Sequence, residues 1–382
     1  MPTILLAATE INRIGGMASH LQHTAAGLKM RGWAVHCIAS NVRGDFFEEV
    51  NKNFTCHDLS SVPLSPKKVF MAADLVNSIV PDVVLLNNCA LMNYVLPLID
   101  PFVKPVAVLH SDDARFYAIA SLFPNRIFRW IAPTVGVRTQ FHRFIPGELY
   151  GKVHVIPHGT DNQQFFPRDD KKRIDGFHVL FVGFLGESKG ADLLPSIFEK
   201  VASDIPNASL TIVGDGPLRT KLDAEFEKLG LTKRVTMCGL TPPLQTAEIM
   251  RRSHLLLLPT NLEGFGMVLV EAMMSGLVPV ASRLRGITDQ IVDHAETGFL
   301  VAPGDVGGFA EAIKTIHKNE NLFRAMSQKT RAVALDRFSL ASMMDHYERL
   351  FKEPDDRQIT RKRSRPGWYA EAVIQFMRKR LK

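Results

Sequence analysis

One stretch of this 382-residue chain has the residue types and spacing that phosphate chemistry needs, EGFGMVLVE at residues 263–271. Two carboxylates, Glu263 and Glu271, bracket Gly264 and Gly266, just after a four-leucine run at 255–258. An apolar helical pattern, 267–274, follows at once. Glycines at a strand-to-helix turn let backbone N–H groups approach a ligand, and the unpaired N–H groups of a first helical turn attract an anion. Glu263 falls in the turn and Glu271 about two turns further on. On residue types alone two readings stay open. Both carboxylates contact a ligand, or Glu263 caps the helix and Glu271 is solvated.

Other constellations carry less. No Asp-x-Asp triplet occurs, so the usual metal–diphosphate clamp is missing and no metal site is expected. Asp112-Asp113 follows His110 and reads as a Mg²⁺ ligand pair or, more simply, a helix cap. His154 and His158 are four apart, but Pro157 forbids the helix that would pair them on a metal. Gly214-Asp215-Gly216 lacks the third glycine of a dinucleotide fingerprint, and no Gly-x-Ser-x-Gly elbow is present. Four scattered cysteines, Cys37, Cys56, Cys89 and Cys238, form no CxxC pair and read as thiols in a reducing compartment.

The elements that must position these residues alternate short apolar runs with helical patterns, which implies α/β architecture with parallel sheets. Strands are expected at 3–8, 35–40, 83–86, 106–110 and 153–156, with a helix at 17–31. After the polar stretch 161–176 a second series begins. Its strands are expected at 179–183, 209–213, 235–238, 255–258, 278–281 and 299–301, and its helices at 191–201, 218–229, 267–274, 306–316 and 340–351. Length alone favours two domains, and a cleft between two α/β halves is the default site. The division expected is a first domain at 1–162, a linker at 163–176, a second domain at 177–338, a helix at 339–356 crossing back to the first domain, and a tail at 357–382.

These motifs, taken in order, resemble the retaining glycosyltransferases of family 4. The resemblance spans roughly residues 3–350. It rests on Gly15-Gly16 with Leu21, Leu28 and Gly32, on VIPHGTD at 155–161, on Phe181-Val182-Gly183 with Lys189-Gly190, on VGDGP at 213–217, on the Glu-x7-Glu stretch, and on TGFLVAPGD at 297–305. It implies a GT-B fold, two Rossmann-like α/β domains facing each other across a cleft. The substrate implied is a nucleotide-diphosphate sugar, with no cofactor and no required metal. Glu271 would bond the donor's ribose and Glu263 the transferred sugar. The N–H groups of Phe265, Gly266 and Met267 would hold sugar hydroxyls or phosphate. Gly15 and Gly16 would close a loop over the diphosphate, Lys189 would neutralise it, and His110 would face the donor sugar. Besides His158, which stands where an asparagine is usual, two positions depart from the family. Phe184 stands where an arginine is usual, leaving Arg283 or Arg285 as substitutes, and the acid before Ile-Val is Gln290, or Asp289 with a one-residue shift. A nucleotide-sugar epimerase or hydrolase on the same fold, or a non-catalytic glycan-binding paralogue, are the competing functions.

Charge adds a partner. The chain carries +7 overall, yet residues 357–382 hold nine basic residues against Glu371, while the rest has 37 basic against 38 acidic. Beyond Pro366-Gly367 the tail reads as a basic amphipathic helix, with Trp368 and Phe376 on its apolar side and Arg378, Lys379 and Arg380 supplying charge. Such a helix suits an anionic membrane surface, where each Lys or Arg contributes about 1 kcal/mol; docking on its own protein is the alternative. No nucleic-acid motif accompanies it. The expected setting is cytoplasmic, peripheral on the membrane face, with a saccharide or lipid-linked saccharide acceptor of the lipopolysaccharide or cell-surface glycan type.

Overall fold

The structure, a computed structural model, describes residues 1–11, 15–42, 44, 47–167 and 176–357. The chain divides into two compact units, Met1–Pro157 together with the chain from Met343 onward, and His158–Ser342. Residues 158–162, read above as the end of the first domain, cluster with the second unit.

Unit 1 is built on seven parallel strands: β1 (Thr3–Glu10), β2 (Ala34–Val42), β3 (Thr55–Asp58), β4 (Val83–Asn87), β5 (Lys104–Val108), β6 (Arg129–Ala132) and β7 (Val153–Val155). They lie in the order β3-β2-β1-β4-β5-β6-β7, so the order reverses between β1 and β4. Helices α1 (Gly16–Met30), α2 (Phe47–Asn53), α3 (Pro66–Ile79), α4 (Ala90–Val95), α5 (Ala114–Ala120) and α6 (Val135–Phe141) alternate with them. Ile4, Leu5, Leu6, Val84 and Leu85 are wholly buried, as strands covered on both faces require. Helix α1 buries Leu21, Ala25 and Leu28 at helical spacing. Its N-cap is Gly15, whose φ of +117° favours glycine.

Unit 2 repeats the plan with β8 (Phe177–Val182), β9 (Ala208–Val213), β10 (Val235–Gly239), β11 (Leu255–Leu258), β12 (Val278–Ser282) and β13 (Phe299–Val301). Their order is β10-β9-β8-β11-β12-β13, all parallel, with the reversal between β8 and β11. The helices are α7 (Leu194–Asp204), α8 (Arg219–Lys228), α9 (Pro243–Arg251), α10 (Met267–Met274), α11 (Val306–Lys318) and α12 (Glu320–Phe338). The four leucines of β11 are fully buried, and α10 is apolar on almost every side, so this strand–turn–helix forms the centre of the unit.

Helix α13 (Leu340–Phe351) returns the chain to unit 1. It buries Met343, Met344, Tyr347, Leu350 and Phe351. Phe351 meets Trp33 edge-on at 5.6 Å, and Glu348 accepts from Arg31 at 3.1 Å and from the Trp33 indole at 3.2 Å.

Several elements go beyond the sequence reading. The helical pattern at 191–201 is a 3₁₀ turn followed by an α-helix from Leu194, with Pro195 in its first turn. Helix α12 is absent from the reading because it buries only Met326, Thr330, Ala334 and Phe338, one residue per turn on an otherwise polar surface. Strand β6 escapes because Arg129 interrupts its apolar run; the guanidinium is answered by Glu353 at 2.7 Å and Asp356 at 2.8 Å. No described helix is long and apolar enough to cross a membrane.

Candidate active site

In unit 2 the loops that leave β8 and β11 stand on either side of the strand-order reversal, where open α/β sheets bind ligands. Backbone chemistry ties the two loops together. The Ser188 carbonyl accepts from Asn261 N–H at 2.9 Å, from Leu262 N–H at 3.1 Å and from the Thr260 hydroxyl at 3.0 Å. The Asn261 amide donates to the Glu187 carbonyl at 2.8 Å. The approach is so close that a Cβ on Gly190, at φ +64°, would lie 1.9 Å from the Pro259 carbonyl oxygen. Gly214 is under the same constraint in the neighbouring loop, where its Cβ would fall 1.9 Å from Gly183 O.

This clamp sets Lys189 against Glu263. The ammonium donates to Glu263 Oε1 at 2.6 Å, with the lysine side chain 27% exposed and the glutamate 9%. Both residues singled out in the sequence therefore share one point. Past Glu263 the chain turns through Gly266, at φ +97°, into α10. The N–H groups of Phe265, Gly266 and Met267 have no partner among the described residues, which leaves them for a ligand. Phe265 is wedged edge-on between His158 at 5.1 Å and Phe338 at 5.9 Å, which holds the turn in place.

Glu271 lies just over one turn into α10, not solvated but 9% exposed. Its carboxyl makes no hydrogen bond to the described residues. Burial alone pushes its pKa up to about 7. A carboxyl that has lost its water without gaining a donor is suited to a ligand that brings hydroxyl donors.

Unit 1 carries its own polar cluster at the carboxyl edge of its sheet. His110 follows β5, and its Nε2 lies 2.9 Å from Asn87 Oδ1 at the end of β4. Its ring meets that of His20, on α1, edge-on at 4.8 Å. Tyr347 of α13 backs His20 at 6.3 Å between rings. The same helix that Gly15 and Gly16 open thus buttresses His110. Burial drives the His110 pKa down to about 3, so at neutral pH the ring is an uncharged hydrogen-bonding group. Asn87 and His20 were not singled out in the sequence; the one signal for Asn87 is a polar residue closing the apolar run of β4.

The remaining candidates fall as follows. Phe184 is 54% exposed beside Gly186, with no cation in its place. Arg283 and Arg285 are exposed on the loop after β12, the strand next to β11. Asp289 keeps one carboxylate oxygen buried without a partner, while Gln290 is exposed. Asp113 is the helix cap: its Oδ1 accepts from Arg115 N–H at 2.8 Å, and Asp112 accepts from the Tyr117 hydroxyl at 3.0 Å. No group of three metal-ligating side chains occurs among the described residues. The tail residues Trp368, Phe376, Arg378, Lys379 and Arg380, and most of the linker, lie outside the described residues.

Comparison with known proteins bears on the family and the fold. The chain is 31% identical over 234 residues to N-acetyl-alpha-D-glucosaminyl L-malate synthase of Bacillus anthracis, covering 61% of this chain and 58% of that one. It is 32% identical over 143 residues to the phosphatidylinositol N-acetylglucosaminyltransferase gpi3 subunit of Schizosaccharomyces pombe, covering 37% and 31%. The chain thus spans little more than half of the first relative and about a third of the second. The crystal structure of Anabaena HepE in complex with UDP and glucose superposes with a TM-score of 0.77 at 19% identity, covering 91% of this chain and 99% of that one. Two family descriptions run end to end along the sequence, Glycosyltransferase Family 4 over residues 14–164 and Glycosyl transferases group 1 over residues 162–333. With two parallel Rossmann-like units and the Glu-x7-Glu turn at the strand-order reversal of the second, the chain belongs to the family 4 glycosyltransferases and has the GT-B fold.

Proposed function

We propose that the chain is a retaining glycosyltransferase that moves a sugar from a nucleotide-diphosphate sugar to a hydroxyl acceptor. One observation carries the reading: the Lys189–Glu263 pair adjoins in sequence the unbonded amides at the start of α10, and the unpartnered Glu271 follows one turn into that helix. In this scheme Glu271 accepts from the ribose hydroxyls, and Glu263 orients the transferred sugar. Lys189 and the amides of Phe265, Gly266 and Met267 hold the diphosphate. In the same scheme unit 1 takes the acceptor, uncharged His110 is assigned to the sugar as a hydrogen-bonding group, and Gly15-Gly16 are assigned to the diphosphate.

Chemistry follows from what the site contains. The sequence offers no obvious nucleophile to take the sugar, and the scheme is therefore front-face transfer. The bond from the anomeric carbon to phosphate breaks, and the acceptor oxygen bonds on the same face. The acceptor proton passes to the departing phosphate, whose charge Lys189 and the amides stabilise. No metal is required in this scheme, so EDTA should leave the rate unchanged.

HepE was solved with UDP and glucose, which makes a UDP-sugar the first donor to try. The phosphatidylinositol-directed relative supports a lipid-linked acceptor, and the basic tail fits a peripheral position on an anionic membrane. The test is turnover against a panel of nucleotide sugars, with the product anomer read by NMR. Glu263→Ala and Lys189→Ala should each abolish most transfer; wild-type rates in both would defeat the reading. Deleting residues 368–382 should weaken binding to anionic liposomes and activity on a membrane-borne acceptor.

A further inference from the structure

Lys68 has no part in the scheme above, yet among the described residues it is the most deeply buried cationic side chain. It lies in the first turn of α3, where Ser65 caps the helix by accepting from Lys68 N–H at 3.3 Å. Lys67 beside it is exposed. Lys68 is 2% exposed, and its ammonium makes no ion pair or hydrogen bond with the described residues. An isolated buried cation is costly. Burial holds its pKa below the ordinary lysine range, opposed only by the pull of the Cys89 thiol and the Asp58 carboxylate. Asp58 itself accepts from Ser60 N–H at 2.8 Å and from the Ser60 hydroxyl at 2.6 Å.

Position gives the cation a meaning. Asp58 ends β3 and Cys89 follows β4, so Lys68 stands at the carboxyl edge of the unit 1 sheet, beside the strand-order reversal between β1 and β4. That edge holds further unanswered groups. Asn93, 3% exposed, donates to the Cys89 carbonyl at 3.0 Å but leaves its Oδ1 without a partner. Ser111 Oγ, one residue past His110, is buried and unpartnered as well. Buried polar atoms without partners are rare in folded proteins, and this is the edge at which open sheets bind ligands.

We propose that Lys68 anchors an anion subsite in unit 1, which takes a phosphate or carboxylate group of the acceptor. The inference rests on the transferase reading and narrows it, to acceptors bearing an anionic group rather than neutral glycans. An ammonium bonds an anion without a fixed geometry, so phosphate and carboxylate share one chemistry here.

Titrations on the full chain separate the sources. UDP is kept saturating so that the unit 2 cradle is filled, and inorganic pyrophosphate or succinate is the probe. The wild type should bind at least one probe, pyrophosphate marking a phosphate-bearing acceptor and succinate a carboxylate-bearing one. Lys68→Met should bind it more than about tenfold more weakly, and Lys67→Met as the wild type does. Replacing a buried charge by an apolar isostere leaves folding intact or improved; Lys68→Gln serves as the second variant. Wild-type binding should also weaken as pH is raised and the ammonium deprotonates, a trend absent in Lys68→Met. Unchanged binding in Lys68→Met, or no binding of either probe to the wild type, would overturn the subsite. UDP titrated alone keeps the two ideas apart. Failure of the wild type to bind UDP counts against the donor site, whereas intact UDP binding with anion binding indifferent to Lys68 counts against the subsite alone.

Discussion

Replacing Glu271 by glutamine should make the protein more stable and the enzyme worse, and the first effect should depend on pH. In the folded chain burial raises this carboxyl from an ordinary value of 4.5 to about 7. Below the lower value both folded and unfolded chains are protonated, and nothing is lost. Between the two the unfolded chain ionises while the folded one holds its proton, so stability falls as pH rises. Above about pH 7 the full penalty is present, about 3 kcal/mol. Glutamine carries no charge to desolvate. Chemical denaturation of Glu271→Gln and wild type should therefore diverge with pH, the variant gaining about 2 kcal/mol relative to wild type between pH 5.5 and 8. UDP binding should move the other way, falling about tenfold at pH 8, because an amide oxygen replaces a carboxylate that accepts from the ribose. Parallel stability curves for the two proteins across that range would refute the reasoning.

Three further substitutions probe the clamp. Lys189→Met removes the cation 2.6 Å from Glu263, and UDP affinity by calorimetry should fall about 10- to 100-fold; a change under twofold would contradict the phosphate role. Gly190→Ala forces a Cβ to 1.9 Å from the Pro259 carbonyl at a left-handed φ, and urea unfolding should report a loss above about 3 kcal/mol, against which a loss under 1 kcal/mol would count. Phe184→Arg restores a guanidinium at a site 54% exposed and should tighten UDP binding about tenfold. Weaker binding would mean that Phe184 does not face the diphosphate.

Much of the candidate site in unit 2 was readable because its demands fall on residue type. Gly190, Gly214 and Gly266 are glycines for backbone reasons that leave a mark in the sequence. The carboxylates eight apart announce a turn and the helix behind it. What holds Lys189 in place left no such mark, since the Ser188 carbonyl that gathers Asn261, Leu262 and Thr260 is backbone, and any residue at 188 would supply it. Asn87, His20 and Tyr347 come to His110 from β4, α1 and α13, separations of 23 to 327 residues in the contacts that join them. Nothing in residue type separates Lys68 from the adjacent Lys67, and only the packing of α3 against its sheet does. Helix α12 was missed for a different reason. It needs only a one-residue stripe to cover its neighbours, too narrow to read as amphipathic.

The central claim is that unit 2 holds a nucleotide-diphosphate sugar between the β8 and β11 loops. The most direct test is equilibrium titration of the full chain with a panel of nucleotide sugars, free monosaccharides and anionic liposomes. The account predicts saturable one-to-one binding of one nucleotide sugar, weakened by Lys189→Met and by Glu271→Gln, with the matching free monosaccharide far weaker. Binding of free saccharide or liposomes with no response to any nucleotide sugar would contradict it.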